Sequence, residues 1–144
     1  MQKKVCGTMI KQLHDAMERD ANNVLRTKGL TVAQVGVLLE LYSTPKRQMP
    51  LKELEHILHV AQSTAAGIVV RLEQKGFVES FGDSADRRIK IVRLTQTGET
   101  CCIETNKDMI QSEKKFLEPL TEKEQTALIS LLEKICDSKL KNSR

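Results

Sequence analysis

Asp86, Arg87, Arg88 and Lys90 set three cations and one carboxylate within five consecutive positions. They follow Gly82-Asp83-Ser84, residues with turn chemistry. An arginine exposed on a loop tip can enter a narrow DNA minor groove, where the potential is most negative. A carboxylate beside it can hold one guanidinium in a fixed pose through a charge-assisted bond. The plainer alternative is a solvated charge cluster. Upstream lie Gln62, Ser63, Thr64, Ala66 and Gly67, all small or uncharged and polar. A helix that enters a groove needs such a thin outer face. Its glutamine can read adenine and its hydroxyls can bond bases or phosphates. Arg71, further along, suits a phosphate. Here the alternative is a small-residue face packed on a neighbouring element.

The elements that must position these residues are legible from periodicity. Ala65, Ile68, Val69 and Leu72 fall on one apolar stripe, and Gly76 supplies a left-handed helix end. Phe77 to Phe81 and Ile89 to Leu94 are β-type runs around the charged tip. A helix followed by a hairpin with arginines at its tip is the layout of a winged helix-turn-helix. Leu51, Leu54 and Leu58 mark the preceding, positioning helix, which starts near Pro50. Before it, a helix capped by Thr31 with Gln34 as capping-box partner buries Val35, Leu38, Leu39 and Leu41 or Tyr42, and stops at Ser43-Thr44-Pro45. Lys46 to Pro50 is a connector with room for one short strand.

Long helices flank this centre. Val5, Met9, Leu13, Met17, Ala21, Val24 and Leu25 recur at three- and four-residue steps, and Gly29 ends that helix. Thr95 caps a fifth helix through about Leu117, carrying Cys102, Ile103, Met109, Ile110 and Phe116. Thr121, with Glu124, opens a sixth, striped by Leu128, Leu131, Leu132, Ile135 and Leu140. These stripes hold more apolar positions than a small winged domain can cover. A second copy of the chain is therefore expected, the alternative being an intramolecular bundle.

Composition bounds the answer. The 144 residues suit one domain, and the core must be aliphatic because there is one Tyr and no Trp. The net charge is +4, with nine Lys/Arg against six Asp/Glu in residues 46–93 and eight against nine in residues 94–144. That placement favours a polyanion for the centre. No membrane span is expected, and mixed polar sequence after Lys3 and Lys4 speaks against a secretory leader. Cys6, Cys101, Cys102 and Cys136 match neither a zinc pattern nor a secreted disulfide framework, so a reducing cytoplasm is expected. His56 and His59, at i and i+3, fall short of a metal set, and His14 is remote in sequence. No catalytic constellation is present, and neither enzyme activity nor a cofactor is expected.

The chain resembles the MarR family of bacterial and archaeal transcription regulators. The resemblance rests on Gly29-Leu30-Thr31 with Val37-Leu38 and Leu41, Leu51, Leu54 and Leu58, Gln62-Ser63-Thr64, Arg71-Leu72-Glu73 with Lys75-Gly76-Phe77-Val78, Asp86-Arg87-Arg88, and Leu94-Thr95 with Gly98. These run in the family's order over nearly the whole chain. Family members often carry a polar or basic residue at Gly67 and an aspartate at Val70. The resemblance implies a mainly α (α+β) fold. Residues 31–95 would form the winged helix-turn-helix, residues 95–117 a linking helix, and residues 1–28 and 117–144 the dimerisation helices. It also implies a homodimer on pseudo-palindromic double-stranded DNA. A small aromatic or phenolic effector would sit in a cleft that in this chain would draw on Met9, Leu13, His14 and Met17. DNA contacts are expected at Gln62, Ser63, Thr64, Ala66, Gly67, Arg71, Asp86, Arg87, Arg88 and Lys90. Two alternatives stay open. One is a thiol-based redox sensor centred on Cys6, near a helix start where thiolate chemistry is favoured. The other is a winged-helix adaptor between proteins that does not bind DNA.

Overall fold

A computed structural model describes residues 5–140. Residues 1–4 and 141–144, the outer ends of the two expected dimerisation segments together with Lys3 and Lys4, lie outside the described residues. The order is α1 (Cys6–Thr27), α2 (Val32–Tyr42), β1 (Gln48–Pro50), α3 (Leu51–Leu58), α4 (Gln62–Gln74), β2 (Val78–Gly82), β3 (Lys90–Leu94), α5 (Gln96–Leu117) and α6 (Glu122–Leu140). The chain forms two compact units, one up to Ile103 and one from Glu104.

In the first unit, short connectors with defined backbone chemistry set the elements. After α1, Gly29 takes φ 70°, and the Leu30 N–H returns to the Leu25 carbonyl at 3.0 Å. One residue later Thr31 and Gln34 cap α2 reciprocally, at 3.1 and 3.2 Å, as the spacing predicts. His59, at φ 52°, turns the chain from α3 into α4, and Gly76, at φ 79°, turns it from α4 toward β2. β3 is the central strand of an antiparallel sheet in the order β1-β3-β2, with Met49 opposite Val92 and Phe81 opposite Ile91.

The core is aliphatic, as composition requires. Leu38, Leu41, Leu54, Leu72, Val37, Val69, Val92 and Cys102 are fully buried. Complete burial of one such leucine or valine contributes about 1.5–3 kcal/mol. Two expectations shift. On α2, Val37 and Gln34 are buried while Leu39 and Tyr42 are only half-buried. The reason is that α2 touches α1, α3, α4, β1 and β3, so several of its sides are covered. The hairpin strands also begin one residue later than the β-type runs. The Phe77 N–H closes the end of α4 on Leu72, and the Ile89 N–H closes the tip turn on Asp86. Phe81, on the edge strand β2, and Ile89, which precedes β3 at the tip, are both exposed.

In the second unit the end of α5 turns into α6. Thr121 and Glu124 form the expected reciprocal cap, and the Gln125 amide donates to the Leu117 and Leu120 carbonyls. None of the described α6 residues is buried, and Leu131, Leu132, Ile135 and Leu140 face solvent. On α1, Leu25 is the one buried residue among those described, with Met9, Leu13, Met17 and Val24 exposed. No helix among the described residues is long and apolar enough to cross a membrane.

Candidate nucleic-acid interface

Helix α4 buries Ala65, Val69 and Leu72 and turns the opposite side outward. Gln62, Ser63, Thr64, Gly67, Val70 and Arg71 are exposed, and Ala66 is half-buried. The expected small, thin face is therefore the outer face. The N-cap residue is Ala61, and no side chain caps the helix start, the positive end of the helix dipole.

The pose of α4 is set by contacts that link it to three other elements. The Lys75 ammonium at its end donates to the Gly29 carbonyl and, at 3.0 Å, to the buried amide oxygen of Gln34. The Ser80 hydroxyl of β2 donates to Glu73, and the Thr95 hydroxyl donates to the Gly76 carbonyl at 2.6 Å. Sequence reasoning missed Lys75 as an anchor. Its only local signal was its place before Gly76, and its partners lie 46 and 41 residues away.

The hairpin tip is ordered by its own backbone. The Asp83 N–H donates to the Ile89 carbonyl at 2.9 Å and the Ile89 N–H to the Asp86 carbonyl at 3.0 Å. Within this turn the Arg88 guanidinium meets Asp86 with two parallel bonds, Nε to Oδ1 at 3.1 Å and Nη2 to Oδ2 at 3.2 Å. The Arg88 N–H adds a third to Oδ1. Arg88 thus donates from side chain and backbone, in that order of effect, and both hold the Asp86 carboxyl below its ordinary value. The Arg88 side chain is nonetheless 92% exposed. Its pose is fixed locally while its surface stays available. Arg87 and Lys90 are exposed beside it. Gly82 lets this turn close, because a Cβ there would lie 3.0 Å from the Arg87 carbonyl oxygen.

Lower on the hairpin, Arg93 bonds Glu79 across the strand pair at 2.8 Å and stacks on Phe81 at 4.7 Å. At its base Arg47, in the left-handed region at φ 55°, donates to Glu99 at 3.0 Å and to the Tyr42 and Thr44 carbonyls, and lies 4.1 Å above the Tyr42 ring. One side chain thereby joins the end of α2, the approach to β1 and the first turns of α5. Neither arginine was singled out from sequence: Arg93 acts through Glu79, 14 residues away, and Arg47 joins the nearby Tyr42 and Thr44 carbonyls to Glu99, 52 residues away.

The expected effector residues Met9, Leu13, His14 and Met17 are exposed along α1. None of them lines the shallow depression formed by Lys52, Glu55, His56, His59 and Val60. Among the described residues His14, Asp15 and Glu18 are the cluster with metal-ligand spacing, and all three are exposed. His56 and His59 sit with ring centroids 6.2 Å apart and join no such cluster. Cys6 is the first residue of α1 and exposed, as is Cys136. Cys101 and Cys102 are buried. Burial raises the Cys102 thiol to about 11, and its sulfur lies 3.4 Å from the Leu38 carbonyl oxygen.

Residues 30–90 match the model of the MarR family. The chain is 25% identical over 115 residues to the HTH-type transcriptional regulator YwaE of Bacillus subtilis, an alignment covering 80% of this chain and 66% of the relative. It therefore spans less than two thirds of that relative's length. A MepR variant from S. aureus superposes with a TM-score of 0.86 at 20% identity, over 94% of this chain and 98% of the other. A MarR variant from E. coli complexed with operator DNA superposes with a TM-score of 0.70 at 27% identity, over 90% and 91% of the two chains.

Proposed function

We propose that this MarR-family winged helix-turn-helix protein is a transcriptional regulator that binds a pseudo-palindromic operator as a homodimer and represses until a small effector releases it. The observation that carries DNA binding is the hairpin tip, where Asp86 holds the fully presented Arg88 beside Arg87 and Lys90, next to an α4 whose outer face is thin and uncharged. The solved complex of the E. coli relative with operator DNA supports the same reading. Residues 31–95 read DNA, with Gln62, Ser63, Thr64, Ala66 and Gly67 toward bases and Arg71, Arg87 and Lys90 toward phosphates. Arg88 enters a minor groove and Asp86 orients it.

The dimer reading is supported by exposed apolar rows on α1 (Met9, Leu13, Met17, Val24) and α6 (Leu131, Leu132, Ile135, Leu140). Left in water, such rows favour a partner. A homodimer doubles the hairpin tips and matches two half-sites. An aromatic or phenolic anion would bind against Met9, Leu13, His14 and Met17, and the protein would act in the cytoplasm. No step calls for a cofactor or catalysis. A second reading is favoured by the exposure of Cys6 at the first position of α1. There, oxidation of the thiol would release DNA, and Cys6→Ser would retain DNA after peroxide while wild type lets go.

The test is fluorescence anisotropy with labelled random-sequence duplex at two salt concentrations. Affinity should fall with log salt by about 0.9 per phosphate neutralised. A salt-independent baseline with no binding would favour the adaptor reading instead.

A further inference from the structure

The outer strip of α4 carries one large apolar side chain. Val70 is 42% exposed on the face opposite Ala65, Val69 and Leu72, one turn beyond Gly67 and two beyond Ser63. Helical side chains lean toward the helix N-terminus and cover the turn before their own Cα. The Val70 isopropyl group is therefore directed toward the turn that carries Gly67, without coming within 4 Å of where a Gly67 Cβ would stand. At Gly67 there is bare backbone, and a Cβ built there would meet nothing within 4 Å. Together they make a small apolar shelf on a face otherwise built from Gln62, Ser63 and Thr64. Residues 62–70 contain no Lys or Arg, so no bidentate arginine is available there to read guanine.

Among the groups that base edges present in the major groove, the one apolar group is the C5-methyl of thymine. We infer that Val70 beside Gly67 is a thymine-methyl reader, and that it contributes the sequence discrimination of α4 that charged residues supply in other recognition helices. The inference rests on the DNA-binding reading above and names the base chemistry that site would take. The half-site then contains a thymine whose methyl lies on the shelf. Gln62 and Ser63, nearer the helix start, meet the neighbouring base pairs. Guanine-rich sites are poorer ligands because residues 62–70 offer guanine O6 and N7 no Lys or Arg, only single donors from Gln62, Ser63 and Thr64.

The probe is a pool of random-sequence duplexes, from which the wild-type protein selects its preferred site. Each thymine of that site is then replaced singly by deoxyuridine, which removes only the methyl. Wild type should lose about fourfold in affinity at one thymine per half-site, the effect of withdrawing one buried methyl, and little at the others. Val70→Ala, which keeps the fold because the position is exposed, should bind the thymine and deoxyuridine duplexes within twofold of each other. Gln62→Ala should keep the wild-type deoxyuridine penalty. A selected site at which every deoxyuridine substitution is silent would overturn the inference, as would an equal penalty in wild type and Val70→Ala; either result leaves DNA binding standing. Failure to enrich any sequence would overturn the DNA-reading function itself.

Discussion

Two helical glycines should respond to the same substitution with opposite signs. Gly98 lies in the first turn of α5, whose start is held by Thr95 bonding the Gly98 N–H at 3.1 Å. A Cβ on Gly98 would stand 2.1 Å from the Phe77 carbonyl oxygen and 2.9 Å from a Leu94 methyl. The carbonyl is backbone and accepts from the Thr95 N–H, so it cannot swing aside. Relief must come from moving α5 off the base of the hairpin. Overpacking of this kind costs about 1–3 kcal/mol and occasionally more, and the 2.1 Å approach to backbone belongs at the upper end. Against it, alanine gains about 0.5–1 kcal/mol over glycine inside a helix. The clash wins, and Gly98→Ala should destabilise by about 2 kcal/mol net. Gly67→Ala meets nothing within 4 Å and keeps only the helix gain, so it should stabilise by about 0.5–1 kcal/mol. Urea unfolding followed by circular dichroism, at one fixed protein concentration, measures both. A Gly98→Ala protein as stable as wild type, or a destabilised Gly67→Ala protein, would refute the reasoning.

Wild type should sediment as the proposed dimer, and replacing Leu131 and Ile135 with aspartate should leave a monomer with helicity kept; a dimer unchanged by these substitutions places the interface elsewhere. Removing residues 121–144 should cost solubility or folding, and a soluble monomeric truncation that still binds DNA normally would sink the dimer reading. Cys101 and Cys102 should resist thiol reagents at pH 8 until the chain unfolds, since both are buried and the Cys102 thiol sits near 11; labelling of all four cysteines at the unfolded rate would contradict this. The Asp86 carboxyl is held below its ordinary value, so its pair with Arg88 is fully present above about pH 4 and is lost as pH falls through the lowered value. DNA affinity should accordingly show no Asp86-dependent change between pH 5 and 8, whereas Asp86→Asn should weaken it at every pH in that range.

Much of the fold was legible because its signals are local. The Thr31–Gln34 and Thr121–Glu124 caps, the glycine ends of α1 and α4, and the charged hairpin tip each declare themselves within four or five residues. The pairing of Asp86 with an arginine was readable for the same reason, though which arginine was not. What stayed hidden depends on tertiary contact. Lys75 reaching Gly29 and Gln34, and Arg47 gathering Tyr42, Thr44 and Glu99, carry no short-range pattern. The left-handed conformation of Arg47 is likewise invisible in a side-chain type that rarely adopts it, and that of His59 has no glycine or asparagine to announce it. Val70 read from sequence as a departure from the family pattern; its exposure on the outer side of α4 came only from the structure.

The central claim is a division of labour in which the hairpin supplies affinity and α4 supplies preference. Anisotropy titrations of wild type, Arg88→Ala and Gln62→Ala against duplexes with and without A·T flanks, each at two salt concentrations, test it most directly. Arg88→Ala should weaken binding to every duplex, most of all to those with A·T flanks, and should lessen the salt slope. Gln62→Ala should change sequence preference with a smaller loss. Arg88→Ala binding as tightly as wild type while Gln62→Ala abolishes binding would contradict the account and make α4 the main source of affinity.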